Sequence, residues 1–460
     1  MVLGLVKSYI DSVGPKQPVK FRQKGDANEE KTMEEIIGRV APEMSKGYSY
    51  WSQPMLGWGN GQTLYTAIRK FEDVDKVYYK RKLMTIESDK RFYEKDGVKL
   101  RYDAHEGKST VALDYVVSEE RFNNGGGDEF RPESQTRRLH DRTKFMDPAE
   151  EDEIAGDESK PLVVLLHGLS GGSYESYVRN FLYTVTGDPY NFDAVVVTSR
   201  GCSRHSITSP QVFNGLWTND VRYYINEHVR KKWPNKRIYM VGYSLGGAIL
   251  ANYLGQEGDD VYHNIKLAAA VGALWDFTDS CNFLESSYLG AKVYSPTMCT
   301  NLVRVLKSQY DNQLKHVPEI RHYFENKDQY KLNRIKDFDD AFTSKCFGFN
   351  SAYEYYRNAS PINRFFNIRV PTLIINALDD PVVGSRTLPY DDVKYNPFTN
   401  LITSTIGGHL GWFDYKFNKW YSAPLSAVFK EVDDNWTCLS EDAQLPSKLS
   451  DIMKFDRLVL

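Results

Sequence analysis

Three side chains that together make a reactive hydroxyl stand in turn-rich settings along the chain. Gly242-Tyr-Ser244-Leu-Gly246-Gly247 directly follows the apolar run Arg237-Ile-Tyr-Met-Val241 and precedes a helix-forming stretch. In that strand, turn and helix setting, a Gly-x-Ser-x-Gly sequence lifts a serine hydroxyl clear of a sheet. Larger residues two positions either side of the serine would clash with the tight turn. Ser244 is therefore the expected nucleophile. Asp379-Asp380-Pro381-Val-Val follows the run Thr372-Leu-Ile-Ile-Asn376, and Gly407-Gly408-His409 follows Leu401–Ile406. A carboxylate and an imidazole at successive strand ends can form the relay that deprotonates a serine. Two adjacent aspartates compete for the acid's place. Asp380, followed at once by Pro-Val-Val, is the expected acid, and Asp379 a turn residue. His409 is the expected base, which gives the chain order Ser244, Asp380, His409.

An oxyanion needs backbone donors near the nucleophile. His167-Gly168-Leu169-Ser-Gly-Gly172 ends the apolar run Leu162–Leu166. Its position predicts that the N–H groups of Leu169 and Leu245 face the oxyanion. His167 is expected to shape that loop, because in this triad order the catalytic histidine comes last. His409 also opens a His-x-x-x-x-Asp pattern ending at Asp414, which two fixed positions leave to chance. The remaining histidines (His105, His140, His205, His228, His263, His316, His322) show no metal-ligand spacing, and the 5 cysteines form no CxxC pair. Neither a metal nor an organic cofactor is expected. No substrate-binding residue is legible.

Composition narrows the partners. With 41% hydrophobic and 26% charged residues the chain is not disordered or collagen-like. Its 58 Lys+Arg against 61 Asp+Glu give a net charge of −3, so nucleic acid is not an expected partner. The serine relay, rather than the composition, points to a small-molecule ester or acyl donor as partner, with water or an alcohol as acceptor. The opening apolar stretch Met1–Val6 is short for a leader, and no run of about 18 apolar residues occurs. A soluble, intracellular, cytoplasmic protein is expected, with peripheral contact to lipid droplets or membranes open.

These residues need a scaffold. Apolar runs at Leu162–Leu166, Ala194–Thr198, Arg237–Val241, Leu267–Val271 and Thr372–Asn376 alternate with helical patterns at Ser173–Thr186, Asn219–Lys232 and Ala248–Gly255. Strands without period-two alternation, separated by helices, predict an α/β fold with a mostly parallel sheet buried on both faces. Thr32-Met-Glu-Glu35 reads as a helix capping box. Val77–Ile86, Val98–Tyr102 and Thr110–Val117 read as an antiparallel lead-in. Residues 118–160, with Gly125-Gly-Gly127 and the acidic run Glu150-Glu-Asp-Glu153, read as a long surface loop whose charges are solvated. The expected organisation is an N-terminal extension (1–74) packed on the core, a catalytic domain (75–435) and a C-terminal tail (436–460). A helical cap, about 276–370, precedes the acid-bearing strand.

Taken together, the sequence resembles the AB hydrolase 4 family of the α/β-hydrolase superfamily over roughly residues 50–435. The resemblance rests on Leu166-His-Gly-Leu-Ser-Gly-Gly-Ser173, Ser199-Arg-Gly-Cys-Ser203, Ala251-Asn-Tyr-Leu-Gly255, Phe347-Gly-Phe349 with Glu354-Tyr-Tyr356, and Asp379-Asp-Pro-Val-Val-Gly384. The sequence looks most like the fungal branch of monoacylglycerol lipases and medium-chain ethyl ester synthase/esterases, and Trp217-Thr-Asn-Asp-Val-Arg222 and Gly407-Gly-His-Leu-Gly-Trp-Phe413 resemble its lipase-like side more. Where that family carries Asn-Gly-His-x-Gln-Thr, this chain reads Asn60-Gly-Gln-Thr63. Its elbow is Tyr-Ser-Leu-Gly-Gly where ester-synthase members carry Cys-Ser-Phe-Gly-Ala. The resemblance implies an α/β-hydrolase fold and a Ser244–Asp380–His409 serine hydrolase of lipid esters. Alcohol acyl transfer from acyl-CoA to ethanol is the alternative, and an inactive lipid-binding scaffold a minor one.

Overall fold

The apolar runs become the middle of an eleven-stranded sheet. The structure, a computed structural model, describes residues 4–88 and 107–443. Its strands are β1 (Val6–Val13), β2 (Lys20–Gln23), β3 (Asp26–Thr32), β4 (Ser49–Ser52), β5 (Tyr78–Ile86), β6 (Ser109–Val117) and β7 (Thr143–Phe145). They continue as β8 (Leu162–Leu166), β9 (Asp193–Val197), β10 (Ile238–Tyr243), β11 (Ile265–Val271), β12 (Thr372–Ala377), β13 (Thr399–Ser404) and β14 (Trp436–Cys438). Across the main sheet the order is β4-β1-β13-β12-β11-β10-β8-β9-β6-β5-β7.

From β13 to β9 neighbouring strands are parallel. Both outer margins turn antiparallel, at β6 on one side and β1 on the other. β8, β10 and β12 are buried along their whole length. Helix Leu245–Glu257 covers one face, while helices Ser176–Thr186 and Ser422–Asn435 cover the other. This is the α/β-hydrolase architecture, with its parallel strands all pointing their C-terminal ends toward one rim. Ligands bind at that rim in open α/β sheets. Among the described residues no helix is long and apolar enough to cross a membrane.

Between β11 and β12 the chain leaves the sheet and forms helices, the longest of them Ser295–Gln309. Leu302, Leu306, Leu314, Ile320, Phe338 and Phe342 give these helices a small core of their own. The Thr32 capping box forms as expected, with Thr32 and Glu35 exchanging bonds to each other's backbone N–H.

Several expectations change. The 1–74 segment does more than pack on the core, because β1 extends the main sheet by pairing with β13. Trp436–Cys438, assigned to the C-terminal tail, is a strand paired with β2. Residues 118–160 are not one surface loop. They carry helices Glu119–Asn123 and Glu151–Ala155, and β7 pairs with β5. Nor is the acidic run solvated throughout. Glu151 is fully buried and meets His228, Lys232, Lys82 and the Tyr115 hydroxyl. Burial alone would raise its pKa, yet the bonds from His228, Lys232 and Lys82 hold it well below the usual carboxylate range. A charge run looks solvated in sequence when its partners lie on distant elements. The strand expected at Val98–Tyr102 and its turn at Asp96-Gly97 lie outside the described residues.

Candidate active site

Ser244 sits between β10 and helix Leu245–Glu257, as the residue that caps the helix. Its φ of 52° and ψ of −118° place it in a strained region for a residue with a Cβ. The two flanking glycines make this geometry possible. A Cβ on Gly242 would lie 2.4 Å from the Gly246 carbonyl oxygen, and one on Gly246 would lie 2.3 Å from that of Leu166. The Ser244 N–H donates to Val271 O at 2.9 Å, tying the elbow to the end of β11. The N–H groups of the first helical turn, Leu245 among them, have no carbonyl one turn earlier to accept them and form the positive end of the helix dipole.

The acid and the imidazole come from the ends of β12 and β13. Asp380 is buried, and its Oδ1 accepts the N–H groups of Val382 and Val383 at 2.8 and 3.0 Å. That leaves Oδ2 for His409 Nδ1, 2.8 Å away. With Nδ1–H donating to the carboxylate, Nε2 is the free acceptor. Ser244 Oγ lies 2.9 Å from it. The structure therefore brings Ser244, His409 and Asp380 into one hydrogen-bonded line.

Asp379 has different work. Its Oδ1 accepts the N–H groups of Gly407 and Gly408, each at 2.9 Å. It shapes the histidine's turn as well as its own. Burial pushes its carboxyl up to about 6, against the pull of those two N–H groups. Among the described residues its buried Oδ2 has no hydrogen-bond partner. Asp414, at the end of the His-x-x-x-x-Asp pattern, accepts the N–H groups of Lys416 and Asn418 and closes a local turn.

His167, at the start of its glycine-rich loop, has both ring nitrogens in use. Its Nδ1–H donates to Gly168 O at 2.7 Å, and its Nε2 accepts the Ser199 N–H at 3.1 Å. Burial draws its pKa down to about 4. A neutral ring with both nitrogens engaged shapes a loop and moves no proton. The Gly168 N–H in turn donates to the Tyr177 hydroxyl at 3.0 Å, and a Cβ on Gly168 would sit 3.5 Å from Ser244 Cβ. Leu169 and Leu245 thus flank Ser244, and both line the cavity above it.

Residues from the N-terminal segment complete the site, and sequence reasoning missed them. Thr63 Oγ1 accepts the His409 N–H at 2.9 Å. The buried Gln62 accepts the Phe413 N–H through Oε1 at 2.8 Å and donates through Nε2 to Leu56 O at 2.7 Å. The Asn60-Gly-Gln-Thr63 departure was the one available signal. Lys419 supports the same loop from below. Its buried ammonium donates to Leu410 O and Gly411 O at 2.6 and 3.0 Å and lies 4.2 Å from the Phe413 ring centre. Burial draws it down to about 7 against the attraction of Asp75.

A cavity of about 730 Å³ opens from Ser244 and His409 into the helical segment between β11 and β12. Phe277, Leu284, Leu302, Leu306, Phe338 and Phe342 make much of its lining apolar. Such a space suits a hydrocarbon chain held by contact and desolvation. Among the described residues no three His, Cys, Asp or Glu side chains converge as metal ligands.

A serine held on an elbow above a parallel sheet, joined through a histidine to an aspartate, defines a class. The chain belongs to the alpha/beta hydrolase fold family, which it matches over residues 161–410. It is 35% identical to the monoacylglycerol lipase of Saccharomyces cerevisiae, covering 94% of this chain and 93% of that protein. It is 30% identical to medium-chain fatty acid ethyl ester synthase/esterase 2 of the same yeast, covering 92% and 94%. An abhydrolase domain-containing protein of Dictyostelium discoideum is 32% identical over 60% of this chain and 69% of that one. Kinship at this level supports a serine-type lipid esterase or lipase activity.

Proposed function

We propose that this chain, as a member of the AB hydrolase 4 branch, hydrolyses carboxylic esters of lipids, with monoacylglycerols and medium-chain acyl esters as substrates. The observation that carries this reading is the unbroken line from Asp380 through His409 to Ser244 at the mouth of an apolar cavity. In this reading the acyl chain lies among the cap side chains and the ester carbonyl rests over Ser244. His409 Nε2 takes the hydroxyl proton as Ser244 Oγ attacks the carbonyl carbon. Asp380 holds the Nδ1–H tautomer and stabilises the imidazolium that forms. The N–H groups of Leu169 and Leu245 receive the oxyanion. His409 returns the proton to the departing alcohol, leaving an acyl-serine. Water, deprotonated by His409, then releases the acid. No metal or organic cofactor enters these steps.

A second reading is favoured by the likeness to an ethyl ester synthase/esterase and by the apolar lining of the cavity. An alcohol that reaches a water-poor acyl-enzyme can replace water as the second nucleophile. Ethanol and an acyl-CoA would then give an ethyl ester. Peripheral contact with a lipid surface belongs to the same proposal. Helix Gly59–Ile68 lines the cavity through Thr63, Thr66 and Ala67, and exposes Ile68, while Met55 and Trp58 are exposed beside it.

A product-partition assay tests both readings, with Ser244→Ala as the blank. Decanoylglycerol is supplied with and without ethanol, and decanoyl-CoA with ethanol. Free acid as the main product from the glycerol ester supports hydrolysis. Ethyl ester as the main product from acyl-CoA supports acyl transfer. No product above the blank rules out both.

A further inference from the structure

One wall of the cavity is cationic. Arg137, His140 and Arg204 line it beside Ser170 and Ser203. Two of them come from the 118–160 segment, which Gln135 pins to the loop after β9. Gln135 Nε2 donates to Ser206 O at 2.8 Å, and its Oε1 accepts the Ser206 N–H at 2.9 Å. The His140 ring packs on Tyr174 with ring centres 4.0 Å apart.

Among the described residues neither guanidinium forms an ion pair, while Asp114 and Asp141 exert only a weak pull on His140. Among the described residues Arg137 reaches Gly201 O alone, at 3.4 Å. Arg204 donates to Leu139 O at 3.0 Å and Arg138 O at 3.3 Å. Among the described residues the buried His140 Nε2 has no hydrogen-bond partner. Neighbouring arginines differ: Arg81 is paired with Asp114, and Arg200 with Asp220. Among the described residues, the two cavity guanidiniums have no carboxylate within ion-pair distance. Glu175 also lines the cavity; burial raises its carboxyl, while Lys70 and Arg179 draw it back.

Arg137 and Arg204 are each half-buried, and holding two partly desolvated guanidiniums together without a carboxylate partner is costly. Burial and the neighbouring Arg204 both lower the pKa of Arg137, and the same two influences, with Arg81, take His140 down to about 4. A neutral glycerol ester would leave this wall unanswered. A phosphate would satisfy it, since its oxygens match guanidinium forks and can accept from an imidazole.

We propose that Arg137, Arg204 and His140 form a phosphate subsite of the acyl cavity, so that the protein accepts acyl esters whose leaving group carries a phosphate. Glycerol phosphate of a lysophospholipid and the phosphates of an acyl-CoA share that chemistry. The proposal rests on the acyl-ester reading of the cavity, and its test separates the two.

The first arm needs no turnover. Ser244→Ala protein is titrated with glycerol 3-phosphate by calorimetry, alone and with Arg137→Gln or Arg204→Gln added. Binding that weakens about tenfold with either added change is expected, with partial recovery in Arg137→Lys. No binding, or binding that ignores both arginines, overturns the subsite. The second arm compares kcat/KM for decanoylglycerol, decanoylglycerol 3-phosphate and decanoyl-CoA in wild type and Arg137→Gln. Preference for one phosphate-bearing ester identifies the source. Its ratio to the neutral ester should fall about tenfold in the variant. Preference for the neutral ester overturns the subsite, and turnover of none overturns the ester-hydrolase reading.

Discussion

The strand ends and the segments outside the parallel sheet contribute different things to one site. β10, β12 and β13 deliver Ser244, Asp380 and His409, each within a few residues of a strand's C-terminal end. The outlying segments supply no member of that line. The N-terminal segment holds the histidine's backbone through Thr63 and Gln62, and the 118–160 segment brings the Arg137 charge and the His140 ring to the cavity wall. The reacting groups are local features of a strand and its turn. Support and selectivity are long-range, and different changes should break them.

The largest effects belong to the strand ends. In the proposed mechanism, Ser244→Ala or His409→Ala should lower kcat/KM for a medium-chain ester on the order of 10⁵-fold. Asp380→Asn should lower it on the order of 10⁴-fold, because the amide favours the wrong imidazole tautomer. Steady-state kinetics on folded protein measure all three.

That half of the site was legible because each residue follows an apolar run and carries its own turn chemistry. Gly242 and Gly246 are required by contacts under 2.5 Å, so the motif announces the elbow. The parallel core was legible for the same reason: strands buried on both faces read as unbroken apolar runs. Thr63 was not legible, since nothing local in a polar helix says that its hydroxyl meets His409 across the molecule. Glu151 and Arg137 were hidden likewise. A charged residue's burial is decided by distant partners, or by a cavity that only the folded chain has.

Breaking the support should cost less activity and more stability. Gln62→Ala leaves the Phe413 N–H without its acceptor and opens a buried gap. It should lower stability by about 2 kcal/mol and activity by roughly tenfold to a hundredfold. Denaturant unfolding and kinetics on one preparation test this. Activity lost with stability intact would contradict a supporting role.

The adjacent aspartates sharpen the comparison. Asp379→Asn keeps an oxygen for the Gly407 and Gly408 N–H groups, so activity should fall less than about tenfold. Asp379 titrates near 6 in the folded protein, against an ordinary value of 3.8. Between those values the folded form binds more protons than the unfolded one, so this carboxyl lowers stability as pH rises through that window. The asparagine variant should lose that slope in melting temperature.

Lys419 has the smallest and opposite signature. Its folded value of about 7 lies below the ordinary 10.5. The unfolded chain therefore binds more protons between them, and this group makes stability climb as pH rises from about 7 toward 10. Lys419→Met should flatten that climb, as read by melting temperature against pH.

The central claim is that Ser244 is the nucleophile of this cavity. The most direct measurement is peptide mass spectrometry after treatment with an alkyl fluorophosphonate, alongside ester turnover of Ser244→Ala. A single adduct on the peptide holding Ser244 is expected, with slower labelling in Asp380→Asn and neither adduct nor turnover in Ser244→Ala. An adduct at another residue, or ester turnover that survives Ser244→Ala, would contradict it. So would the absence of any adduct on wild type, which fits a silent lipid-binding fold.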